Sequence, residues 1–143
     1  PEERMPTAEL VSTCMDLARE SGGSVTLTSS VEEACTGADV VYTDIWVSMG
    51  EPAELWEERI KLLSPYQVNS RVIDLMAPTG IFMHCLPAFH DTETTIGAEI
   101  AERFDITEME VTDEVFRGSR SRVFDEAENR MHSIKAIIYA TLK

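Results

Sequence analysis

The chain has 143 residues, 43% of them apolar, and a formal net charge of −14. That length predicts one domain with enough apolar content for a core, and the charge argues against nucleic acid and anionic membrane surfaces as partners. No apolar run approaches the roughly 18 residues that span a bilayer, and the polar, acidic start Pro1-Glu2-Glu3-Arg4 does not resemble a signal peptide, so a cytoplasmic location is expected.

Along the chain, Thr7 is an N-cap candidate for a helix whose apolar positions are Leu10, Val11, Cys14, Leu17 and Ala18, closed by Gly22-Gly23. Val25 to Thr28 reads as a short strand. Ser30 with Glu33 forms a capping-box pattern for a brief helix ended by Gly37. Val40 to Ile45, β-branched and almost uncharged, is the clearest strand, of the kind covered on both faces. A doubly wound sheet normally starts with a strand, and none precedes Thr7. The expectation is therefore that the chain begins inside a domain, after its first strand.

Ala53 to Leu63 follows as a helix, with Ser48 or Glu51 as possible caps near Pro52 and Glu57 and Lys61 as an i,i+4 pair. Asn69 to Met76 is a further short helix. Ile81-Phe82-Met83 predicts a buried strand that must stop by Pro87, because proline donates no ladder hydrogen bond. Thr95 to Phe104 is helical, and Glu108 to Asp113 reads as a strand at a sheet edge. Phe116 to Arg122 is a basic loop holding Arg117, Arg120 and Arg122, either binding an anion or another subunit or simply solvated. Asp125 with Glu128 suggests the cap of a last helix, from about Glu126 to Leu142, with the stripe Met131, Ile134, Ile138 and Leu142. The alternation predicts a three-layer, doubly wound α/β domain with a mainly parallel sheet. The strands near Val25, Val40, Ile81 and Val111 should lie together with their carboxyl ends at one cleft, where such sheets bind ligands.

Three polar groups are candidates for chemistry: Asp44 with Ser48, His84 with Cys85, and Arg130. Adjacent strand residues point to opposite faces, so His84 is badly placed as a base for Cys85, and a thiol-protease reading is disfavoured. Cys14, Cys35 and Cys85 are odd in number, with no CxxC, which argues against a disulfide framework or a zinc ribbon. Cys14 and Cys35 are expected in helix cores. The glycines form neither GxGxxG nor GxxxxGK[ST].

Thr43-Asp44-Ile45-Trp46-Val47-Ser48-Met49-Gly50 resembles the Asp-x-x-x-Ser-Met-Gly loop of ornithine carbamoyltransferases. His84-Cys85-Leu86-Pro87 resembles their HCLP motif, and Ala127-Glu128-Asn129-Arg130-Met131 resembles the segment carrying their last active-site arginine. The order agrees, and the likeness covers the whole chain, but only the second half of the family's polypeptide. The Ser-x-Arg-Thr loop with which the first half grips carbamoyl phosphate does not occur here. The resemblance therefore implies a partial ornithine-binding domain, residues 1–143, inactive without the carbamoyl-phosphate domain.

The resemblance also implies roles. Ornithine's side-chain amine attacks carbamoyl phosphate to give citrulline and phosphate, and it must be neutral to do so. Asp44 would pair with the α-amino group, and Ser48 and Met49 would contact the amino-acid end. Cys85 would lie near both substrates, its thiolate steering the cationic amine, and Leu86 would offer its backbone carbonyl. Arg130 would polarise the carbamoyl oxygen. His84 receives no role, and neither metal nor cofactor is required. A homotrimer or higher multiple is implied for the parent. Putrescine or an N-acylornithine as the amine, or a non-catalytic binding module, are the alternatives.

Overall fold

The computed structural model describes residues 1–48, 50–52 and 54–142. It is an α/β fold built on a parallel strand pair. Helix α1 (Ala8–Ser21) starts where Thr7 Oγ1 accepts the Leu10 N–H, and it ends at Gly22, whose φ of 75° suits a residue without Cβ. Helix α2 (Val31–Cys35) is capped by the Ser30 hydroxyl, which accepts from the Glu33 N–H at 3.2 Å. Strand β1 (Val40–Thr43) then runs parallel to β2 (Ile81–His84), in the register Val40–Ile81 through Thr43–His84. Between them lie α3 (Leu55–Leu63) and α4 (Ser70–Leu75), the latter capped by Asn69. After β2 come α5 (Thr95–Phe104), the short α6 (Asp113–Phe116) and α7 (Val123–Thr141).

Strand membership differs from the expectation. Residues 25–28 form no strand. The stretch around Val111 is not at the sheet edge: Val111 makes a lone parallel bridge with Val68 and is fully buried. The far side of β2 is instead lined by the basic loop, where the Phe82 N–H donates to the Arg120 carbonyl and the Arg122 N–H donates to the Phe82 carbonyl. Phe82 is thus paired on both sides and completely buried. The arginines of that loop turn inward to the protein's own acceptors: Arg120 to the carbonyls of Ile73 and Pro78, and Arg117 to Asp91 and Asp113.

Two apolar clusters form the core. One surrounds Phe82, Val111 and Val123; the other joins Trp46, Trp56, Phe89, Ile100 and Met109, with Trp56 and Phe89 edge to face at 6.0 Å. β1 is not covered on both faces, since Val40 and Tyr42 are about half exposed. Helix α1 buries no residue and Cys14 is only half-buried, so of the two cysteines expected in cores only Cys35 is there. Helix α7 starts at Val123, ahead of the Asp125–Glu128 pattern, and Val123 is its sole buried residue among those described. Its stripe of Met131, Ile134, Ile138 and Leu142 is exposed. Local spacing predicts which residues share a helix face but not whether that face meets a surface within the chain.

Candidate functional site

Parallel pairing in register places Thr43 beside His84 at the carboxyl ends of both strands. One residue further on, Asp44 and Cys85 meet, and the Cys85 Sγ–H donates to Asp44 Oδ1 at 3.1 Å. Loss of water around the sulfur, and then the hydrogen bond and negative charge of Asp44, push the Cys85 thiol above its usual pKa. Cys85 is therefore held as a thiol that donates to a carboxylate. The thiolate expected to steer an amine is not the form this geometry favours. The chain then turns sharply, with φ of 23° at Leu86 and a cis Leu86–Pro87 peptide.

The last helix returns over this edge. Glu126, Arg130 and Ser133 recur at helical spacing, so they share one face. With Tyr42, Cys85 and Leu86 they line an open pocket of about 500 Å³. The structure thus brings Cys85, Leu86 and Arg130 together, with Asp44 against the sulfur. The Tyr42 hydroxyl donates to Glu126 Oε1 at 2.7 Å and ties β1 to the first turns of α7. That bond, with some desolvation, raises the Tyr42 pKa. The Arg130 side chain is exposed, with no hydrogen-bond or ion-pair partner among the described residues.

Ser48 is not part of this pocket. Its N–H donates to Glu51 Oε2 at 2.7 Å, while Glu51 Oε1 accepts from Arg59 at 2.9 Å. Ser48 lines a smaller hollow of about 200 Å³ with Gly50, Glu51, Trp56 and Phe89. Glu51 thus braces the loop ahead of α3, and no side chain caps that helix. Met49 lies outside the described residues. His84 is buried, with Nε2 3.1 Å from Glu110 Oε1, and it too lines the pocket of Cys85, Leu86 and Arg130. His90, Asp91 and Asp113 gather three potential ligand atoms within 4.8 Å, but Arg117 holds Asp113 at 2.7 Å and Asp91 at 3.0 Å.

Tyr42, Glu126 and Glu110 were not singled out from the sequence. Two had a readable signal: Tyr42 stands two residues before Asp44, and Glu126 four before Arg130, the spacings that share a strand face and a helix face. Glu110 had none, since alternation with Met109 and Val111 predicts an outward carboxylate.

Parallel strands that end at a polar, open pocket flanked by a later helix form the open-sheet α/β arrangement, in which ligand sites lie at the carboxyl ends of the strands. The family model for "Aspartate/ornithine carbamoyltransferase, Asp/Orn binding domain" matches residues 1–141, and the chain belongs to that family. It is 58% identical over 142 residues to the catabolic ornithine carbamoyltransferase of Treponema denticola, a match covering 99% of this chain and 42% of that protein. It is 54% identical over 143 residues to an ornithine carbamoyltransferase of Staphylococcus aureus, covering 99% and 43%. Among solved structures, the ornithine carbamoyltransferase from Pyrococcus furiosus superposes with a TM-score of 0.76 at 39% identity, covering 96% of this chain and 38% of that one. An N-acetyl-L-ornithine transcarbamylase gives 0.67 at 27% identity, covering 95% and 36%. The chain thus spans about two-fifths of its relatives' length.

Proposed function

We propose that residues 1–143 are the ornithine-binding part of an ornithine carbamoyltransferase, whose carbamoyl-phosphate-binding domain lies elsewhere in a longer polypeptide. The observation that carries this reading is the shared pocket of Cys85, Leu86 and Arg130, with Asp44 bonded to the Cys85 sulfur. The reaction transfers the carbamoyl group to the side-chain amine of L-ornithine, giving L-citrulline and phosphate. Asp44 is the anionic partner for the α-amino group, and the Leu86 carbonyl faces the attacking amine. Arg130, uncommitted to other side chains among the described residues, polarises the carbamoyl oxygen as negative charge develops there. Cys85 acts as a polar thiol between the two substrates; Ser48, which lines a separate hollow, is the proposed contact for the amino-acid end of ornithine, with Met49 beside it in sequence.

Free ornithine is favoured over an acylated one, because acylation of the α-amino group leaves Asp44 without a cation to pair. The relatives at 54–58% identity, named for ornithine, support the same choice over the 27% likeness to the N-acetylornithine enzyme. No helix of the described residues is long and apolar enough to cross a membrane. A cytoplasmic, trimeric enzyme of arginine metabolism is part of this proposal. The test is citrulline formation from ornithine and carbamoyl phosphate by the full-length polypeptide, with none from residues 1–143 alone. A full-length protein that carbamoylates putrescine or N-acetylornithine but not ornithine would sink the reading.

A further inference from the structure

Glu110 has no exposed surface, yet it is not part of the pocket. Its Oε1 accepts two hydrogen bonds, from His84 Nε2 at 3.1 Å and from the Phe89 N–H at 2.7 Å. Those donors bracket the segment that holds Cys85 and Leu86. We infer that Glu110 is the positioning residue of the candidate site: one buried carboxylate oxygen fixes both ends of the 84–89 turn and so sets where the Cys85 thiol and the Leu86 carbonyl stand. This inference rests on the reading of Cys85 and Leu86 given under the proposed function.

The oxygen can serve as a fixed point because its own backbone is anchored. The Val68 N–H donates to the Glu110 carbonyl at 2.9 Å, and the Thr112 N–H donates to the Val68 carbonyl at 3.1 Å. Gln67 Nε2 donates to the Met109 carbonyl at 2.7 Å. The Met109 N–H donates to the Phe89 carbonyl at 2.9 Å, so both backbone polar groups of Phe89 are held by the 109–110 pair. The Phe89 ring packs against Trp56. Burying a carboxylate is unfavourable, and a well-packed apolar side chain is often at least as stable. The carboxylate satisfies something an apolar residue cannot: a buried Phe89 N–H needs an acceptor, and the His84 ring needs one on the same side. A displacement of about 1 Å in a reacting group can cost on the order of a hundredfold in rate, so a small slackening of this turn is visible in kinetics.

The experiment uses the full-length protein and two variants. Glu110→Gln keeps an acceptor oxygen at the same place; Glu110→Leu keeps the bulk and removes it. In the unmodified protein the Phe89 amide should exchange its hydrogen as slowly as the Phe82 amide in β2. In Glu110→Leu that protection should drop, kcat should fall roughly a hundredfold with a smaller change in the KM for carbamoyl phosphate, and the ratio of Cys85 to Cys14 alkylation should change. Glu110→Gln should restore all three towards the unmodified values. A folded Glu110→Leu protein with unchanged kcat and alkylation ratio overturns the inference. Should that variant not fold, exchange in the unmodified protein decides: a Phe89 amide as fast as the exposed loop amides overturns it, and one as slow as Phe82 upholds it. Failure of the unmodified protein to make citrulline counts against the proposed function, while exchange and alkylation still report on the clamp.

Discussion

Cys85 donates its thiol proton to Asp44 Oδ1 across 3.1 Å because two parallel strands end in register one residue earlier. Loss of water around the sulfur and, after it, the Asp44 carboxylate push the thiol up. Asp44→Asn should therefore lower the Cys85 pKa and speed its alkylation at pH 8. Cys35, buried and with its own thiol pushed up by that burial, should remain the slower of the two in both proteins. Rates followed by mass spectrometry test this; an unchanged Cys85 rate would mean that the contact does not govern the sulfur.

The same substitution in the full-length protein should raise the KM for ornithine far more than that for carbamoyl phosphate. A charge-assisted hydrogen bond contributes about 1.5–3 kcal/mol, or roughly ten- to a hundredfold. Steady-state kinetics with each substrate varied in turn is the measurement. Equal effects on both would make Asp44 a structural residue.

Arg130→Ala should depress turnover by roughly a hundred- to a thousandfold, the scale for removing one donor aimed at developing negative charge. Thermal stability should change little, because the side chain is exposed and has no partner among the described residues. A large loss of Tm with turnover intact would contradict the assignment.

Alkaline pH should weaken the fold through Tyr42 and Cys85. Both groups have folded pKa values raised above their ordinary ones, so the folded state holds these protons more tightly than the unfolded chain. Their contribution is fully present below the unfolded pKa and is lost as pH rises through about 9–10 towards the folded values. Tyr42→Phe should flatten that loss in urea titrations between pH 8 and 11. Tyr42 is half exposed, so the change should be modest.

Phe82→Ala should be among the most damaging core changes. Phe82 is completely buried, with its backbone N–H and C=O both bonded to the 120–122 loop, and truncation of a buried phenylalanine costs about 3–5 kcal/mol. Denaturant unfolding measures it directly.

Much of this protein was legible one residue at a time. Thr7 and Ser30 cap their helices within three residues of themselves, and the strand Ile81 to His84 stops before Pro87, which has no N–H to donate. The motif stretches around Asp44, Cys85 and Arg130 already contain the candidate site, apart from its supports. What spacing could not decide was pairing. Residues 25–28 have strand composition and no strand partner among the described residues, while residues 120–122 have loop composition and lie along β2, because a ladder is made by two segments and belongs to neither alone. The same holds for the site's electrostatics. The Cys85 thiol is pushed up by loss of water and then by Asp44, which the strand register brings to it from 41 residues away, and the buried Glu110 carboxylate accepts the Phe89 N–H from 21 residues away. Helix faces, chain turns and the caps at Thr7 and Ser30 are local and were readable from the sequence, whereas the caps expected for α3 and α7 did not form; burial, the setting of the Cys85 thiol and the joining of Arg130 to Cys85 depend on which distant groups meet, and only the tertiary structure decided them.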